Sequence, residues 1–128
     1  MQGLHLTADL QGVDAALAIM TDPVALGALC REAVAVAGLQ GVAELMHRFG
    51  PADGQGGITG VVLLAESHLA VHTWPELGVV TLDVYVCNLL SDNAERAQRL
   101  MDQLVAGFEP RQQARQAMRR AIPDAAST

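Results

Sequence analysis

Aromatic side chains are scarce in this sequence: one Trp, one Tyr and two Phe, 3% of 128 residues. The core must therefore be aliphatic, and each aromatic present asks for its own explanation. Positive charge is short as well. Eight basic residues stand against fourteen acidic ones, a formal charge of −6. That excludes the basic face a nucleic-acid binder needs to neutralise phosphates. The one basic cluster, Arg111 to Arg120, is short and terminal. With only two cysteines, Cys30 and Cys87, the chain does not read as a secreted disulfide scaffold. No apolar run reaches the roughly 20 residues that cross a bilayer. No basic segment precedes an apolar stretch at the N-terminus. These absences predict a soluble, cytoplasmic protein with free thiols and with neither nucleic acid nor membrane as a partner.

What is present is a 51% hydrophobic chain of single-domain length, residues 1–128, large enough to bury a core unaided. Residues 3–10 read as a strand. Asp22-Pro23 starts a helix, with Asp as N-cap and Pro at the first helical position. Leu26, Leu29, Cys30, Ala33 and Val36 follow at helical spacing, and Gly38 stops it. Residues 41–49 read as a second strand and 50–57 as a Gly-rich loop. Residues 58–74 are strand-like with a break near the middle, and 79–87 form a further strand. Ser91 or Asp92 caps a second helix carrying Ala97, Leu100, Leu104 and Val105 and ending at Gly107. Past Pro110 the chain is polar and Ala-rich, compatible with helix, and residues 123–128 are expected to be a disordered tail. The order β-α-β-β-β-α predicts an α+β, two-layer sandwich: an antiparallel sheet with helices on one face.

The turn Pro75-Glu76-Leu77-Gly78 defines a hairpin. With Trp74 facing Val79, paired residue numbers sum to 153. This sets His72 against Thr81 and places Cys87 beside the Glu66–Ser67 bond, since opposed Cβ atoms lie roughly 5 Å apart. By the period of two, one face carries Glu66, His68, Ala70, His72, Trp74, Thr81, Asp83, Tyr85 and Cys87. The other carries Leu69, Val71, Thr73, Val80, Leu82, Val84 and Val86 and should meet the helices. The first face is dense in groups that donate, accept or titrate, as functional sites are. Regular alternation turns Ser67 toward the apolar face, so a reactive Ser67 requires a bulge or bend within residues 64–69.

The run GITGVVLLAESHLAVHTWPELG closely resembles the self-processing signature of bacterial and archaeal S-adenosylmethionine decarboxylase proenzymes, and GLHLTADL, MHRF and DVYVC support it. The resemblance spans residues 3–107. It implies that Ser67 attacks the Glu66 carbonyl, that an acyl shift and elimination cut the chain into residues 1–66 and 67–128, and that Ser67 becomes a pyruvoyl group. It further implies that His72 abstracts a proton in processing, assisted by Thr59 where the family usually has serine. Cys87 would protonate the product carbon. Glu76 would contact the substrate ribose, and Phe49 and Trp74 would lie near its adenine. The pyruvoyl ketone condenses with the substrate amine and accepts the electrons released with CO2. The product is the aminopropyl donor of spermidine biosynthesis. The family pairs its subunits, implying a homodimer with shared active sites.

Two other readings stand beside this one. Met46, where the family more often has Phe, a longer 50–56 loop, and Leu77, Val79 and Val80 after the turn leave room for ornithine or arginine as substrate. An uncleaved, non-catalytic nucleoside-binding relative is the other. His68 and His72 share a face, but adding Glu66, Asp83 or Cys87 gives no zinc spacing, so no metal is expected. Cys30 reads as a core thiol, and His5 and His47 as surface or strand-edge residues.

Overall fold

In a computed structural model the described residues are 1–51, 56–88 and 92–123. The elements run β1 (Gln2–Gln11), a 3-10 turn (Ala18–Met20), α1 (Pro23–Val36), β2 (Gly41–Arg48), β3 (Ile58–Leu64), β4 (Ser67–Trp74), β5 (Val79–Cys87), α2 (Ala94–Phe108) and β6 (Gln112–Ala121). The sheet is antiparallel throughout, in the order β2-β3-β4-β5-β1-β6. The expected α+β, two-layer class holds. Its element order needs two changes: the 58–74 segment is two strands, and a sixth strand closes the sheet.

That sixth strand corrects the expected helical tail. All ten of its residues are exposed, so neither face shows the apolar alternation that normally marks a strand. Its pairing with the whole of β1 holds it in place. Residues 124–128 of the expected disordered tail, and Ser91 of the expected cap, lie outside the described residues.

Both helices cover one face of the sheet. The Asp22 side chain accepts from Val24 N, and Pro23 occupies the first turn, which fixes where α1 starts. Leu26, Cys30, Ala33 and Val34 form its buried stripe, whereas Val36 is exposed. Gly38, at φ 76°, ends it. In α2 the stripe is Ala97, Leu100, Met101, Leu104, Val105 and Phe108. The helix passes Gly107, where a side chain would strike Leu29 of α1 at 2.8 Å. Under the helices lie Leu6, Ala8, Leu10, Ile58, Val62, Leu64, Leu69, Val71, Val80, Leu82, Val84 and Val86, all buried. Burying such side chains stabilises by roughly 1.5–3 kcal/mol each. The sheet's other face has no layer over it among the described residues. Leu45, Leu63 and Met118 stand there 68%, 47% and 61% exposed.

Candidate active site

The predicted register is the observed one: His68 faces Tyr85, His72 faces Thr81 and Trp74 faces Val79. Core and open faces alternate along β4 and β5 as expected. The expected break at Ser67 is present, as a tight turn rather than a bulge. Leu64 pairs directly with Ser67, leaving Ala65 and Glu66 as the turn. Glu66 takes φ 58°, the left-handed region. For a residue with a side chain this costs roughly 1–2 kcal/mol, and the strain sits on the residue preceding Ser67.

The turn sets the direction of Ser67. The last β4–β5 pair is His68 with Tyr85; beyond it, Cys87 N donates to Ser67 Oγ at 3.1 Å. The hydroxyl thus takes over where the ladder stops. Cys87 is 9% exposed, and its carbonyl accepts from Asn93 Nδ2 at 2.9 Å, which ties this corner to the start of α2. A cavity of about 250 Å³ opens here, lined by Met1, Glu66, Ser67, His68, Tyr85, Arg120 and Ile122. The His68 and Tyr85 rings lie 5.8 Å apart, and the Arg120 guanidinium sits 5.4 Å over the Tyr85 ring.

The remaining expected residues gather at the other end of β4. Thr59 Oγ1 and His72 Nδ1 are 3.0 Å apart. His72 stacks on Trp74, with ring centroids 5.8 Å apart. Buried Thr73 anchors this end, donating to Met20 O at 2.8 Å and accepting from Ile58 N at 2.9 Å. Phe49, Thr59, His72, Trp74 and Glu76 line a second cavity of about 260 Å³. This end needs a glycine at position 57, where a Cβ would strike Thr73 O. Glu76 occupies the turn that Leu77 N closes onto Trp74 O.

The structure therefore joins Ser67, Glu66 and Cys87 in one cluster and Thr59, His72, Phe49, Trp74 and Glu76 in another. Five residues of extended strand separate Ser67 from His72, about 16 Å at 3.3 Å per residue. Within one subunit His72 cannot reach Ser67. The first cluster also holds Arg120, Met1 and Ile122, which sequence reasoning did not single out. The signal for Arg120 lay in a strand that its composition concealed.

Other titratable groups have separate duties. His5 Nε2 meets Asp83 Oδ1 at 3.0 Å on the open face, and His47 meets Phe49 edge-on at 4.7 Å. Burial pushes the Cys30 thiol up from 9.0 to about 12, with Glu44 adding and Arg31 opposing. It is a core thiol, as expected. Met46 packs toward the helices, against Gly60 and Gly27, and lines neither cavity. The departure at that position therefore does not reshape either one. Among the described residues no three His, Cys, Asp or Glu side chains gather as a metal set, and no helix is long and apolar enough to cross a membrane.

Comparison with known proteins gives the family and the fold. The S-adenosylmethionine decarboxylase family matches residues 4–121. An S-adenosylmethionine decarboxylase proenzyme from Aquifex aeolicus (strain VF5) is 39% identical over 120 residues, covering 94% of this chain and 82% of that protein. One from Picrophilus torridus is 43% identical over 95 residues, covering 74% and 68%. The crystal structure of the adenosylmethionine decarboxylase from Aquifex aeolicus VF5 superimposes with a TM-score of 0.82 at 37% identity, covering 96% of this chain and 93% of that one.

Proposed function

We propose, from the premise that the chain belongs to the S-adenosylmethionine decarboxylase family, that it cuts itself between Glu66 and Ser67, turns Ser67 into a pyruvoyl group, and decarboxylates S-adenosylmethionine for spermidine biosynthesis. The observation that carries this reading is the placement of Ser67. It follows a left-handed Glu66, its hydroxyl is held by Cys87 N–H, and it borders a cavity.

Attack of Ser67 Oγ on the Glu66 carbonyl closes a five-membered ring and moves the acyl group from nitrogen to oxygen. The left-handed residue favours departure from the amide, since cutting this bond releases the strain at Glu66. Loss of the Ser67 Cα proton then expels the Glu66 carboxylate from Cβ. Water replaces the nitrogen as ammonia, leaving the pyruvoyl group at the new N-terminus. The surroundings fit that group: it is no larger than the serine it replaces, and the cavity leaves its carbonyl side open to an incoming amine. Once present, it supplies the electron sink that amino-acid decarboxylation requires. The Cys87 thiol, almost fully buried at the same corner, holds the proton for the product carbon.

The separation of the two clusters supports a homodimer of cleaved subunits with shared active sites. A twofold axis through the open face near Ala70, midway along β4, brings Ser67 of one subunit beside His72 of the partner subunit and forms two equal sites. The pairing covers Leu45, Leu63 and Met118, an exposed apolar set with no other cover among the described residues. Thr59 orients His72 through its hydrogen bond. Phe49 and Trp74 offer faces to adenine and to the sulfonium cation, and Glu76 offers a carboxylate to the ribose hydroxyls.

Intact-mass analysis of purified protein tests the processing step: two fragments meeting at residues 66 and 67 are expected, and one uncut species of 13.5 kDa contradicts it. Release of CO2 from S-adenosylmethionine, measured beside ornithine and arginine, tests the substrate. No release from the first overturns the assignment.

A further inference from the structure

The cavity beside Ser67 contains a cation that the processing chemistry above does not use. Arg120 lies on β6, a strand that belongs to the 67–128 piece, yet it lines the same cavity as Glu66, at the end of the 1–66 piece. Two arginines in the fold have carboxylate partners: Arg31 with Glu44, and Arg115 with Asp102. Among the described residues no carboxylate pairs with Arg120; its guanidinium rests over the Tyr85 ring. The ring fixes the plane of the cation without neutralising it.

Self-cleavage creates a carboxylate at this spot. In the elimination the Ser67 Cβ–Oγ bond breaks, and its electron pair stays on Oγ, which departs as an oxygen of the Glu66 α-carboxylate. The proton on Ser67 Cα goes to the base, His72 of the partner subunit. Oγ is the atom that Cys87 N–H already holds at 3.1 Å. One neutral donor thus serves an oxygen that gains a full charge during the step. A guanidinium in the same cavity supplies a countercharge in the planar two-donor form that suits a carboxylate, which the N-terminal ammonium of Met1 on the same cavity does not have.

We infer that Arg120 stabilises the Glu66 carboxylate as it leaves and afterwards holds the new C-terminus of residues 1–66. The inference rests on the self-cleavage reading and adds a charge-stabilising residue to it. It places the effect of Arg120 on the elimination, not on the acyl shift that precedes it, because the negative charge reaches the carboxylate only when the ester breaks.

The test follows cleavage during cell-free synthesis of the full chain by intact mass, for wild type, Arg120→Gln and Arg120→Lys. Arg120 is exposed on an edge strand, so neither change disturbs the core. Arg120→Gln is expected to slow appearance of the 67–128 fragment by about tenfold, the scale of one lost charge-assisted contact in an open site. The uncut chain that accumulates should be an ester. Hydroxylamine then splits it into a 1–66 hydroxamate and a fragment that begins with intact serine. Arg120→Lys should stay within about threefold of wild type. Wild-type cleavage in Arg120→Gln overturns the inference, as does an accumulated chain that hydroxylamine leaves whole, which would place the fault before the ester. Normal cleavage with weakened substrate binding also overturns it, moving Arg120 to substrate recognition. A wild-type chain that never cleaves sinks the self-cleavage reading itself.

Discussion

The two ends of β4, Ser67 and Trp74, lie seven residues apart and differ in kind. At the Ser67 end the backbone is strained, a hydroxyl replaces a ladder contact, and an arginine faces a cavity. At the Trp74 end the backbone is regular, a threonine holds a histidine, and aromatic rings stand ready for a flat ligand. In the proposed function one end breaks a bond, and the other moves a proton and grips a nucleoside. Each subunit carries every part, but an extended strand keeps the parts separate. The difference teaches that, in the proposed dimer, activity would be a property of the pair, with β4 as a spacer between complementary halves.

The sharpest way to break this comparison is complementation. Ser67→Ala alone should abolish cleavage, and His72→Ala should slow it by orders of magnitude. Co-expressed and mixed, the two variants should restore cleavage of the His72→Ala chain, because Ser67 of that chain meets His72 of the other. Absence of fragments in the mixed dimer would mean that the halves do not combine between subunits. Next comes Cys87→Ala. It keeps the main-chain N–H that holds Ser67 Oγ, so fragments should form at near wild-type rate. The kcat for decarboxylation should fall by about 10²- to 10⁴-fold. Trp74→Ala acts only on the gripping end. A roughly tenfold rise in KM with kcat little changed is expected from the loss of one stacking face, and steady-state kinetics separate the two.

The smallest effect lies away from both ends. Arg115, through its hydrogen bond, holds the Asp102 carboxyl below its usual value of 3.8 and ties β6 to α2. A lowered carboxylate pKa adds stability above the usual value, and the gain disappears as pH falls through the lowered one. The exposed, screened pair is worth less than about 1 kcal/mol. Thermal melts of Asp102→Asn should therefore differ slightly from wild type at pH 7 and coincide with it well below pH 4. A difference that persists in acid would mean that the substitution acts through something other than the charge of Asp102.

Much of this was legible before the coordinates. The four-residue turn fixed the β4–β5 register, because side-chain alternation allows no one-residue slip without turning Val80, Leu82, Val84 and Val86 to solvent. The requirement for a break at Ser67 followed from the same alternation. The kind of break did not, since nothing in Leu64-Ala65-Glu66 announces a left-handed glutamate where glycine is usual. The separation of Ser67 from His72 was present in the numbering but became decisive only once β4 proved straight and continuous. β6 was illegible for a physical reason: an edge strand exposed on both sides carries no burial pattern, and Arg120 was hidden with it.

The sheet order has one further consequence. The proposed cut between Glu66 and Ser67 would leave β1, β2 and β3 on one piece and β4, β5 and β6 on the other. Because β1 is threaded between β5 and β6, three ladders cross the cut: β3 with β4, β1 with β5, and β1 with β6. A molecule nicked there would stay woven shut by these ladders. Its assembly, however, would then be a one-way event. The uncut chain folds with its halves at high effective concentration, whereas the severed halves must find each other by diffusion, and their peptide bond cannot be remade. A mature subunit that unravels has lost the connection that first brought it together. Its lifetime would be set by how slowly it unfolds rather than by how readily it folds again.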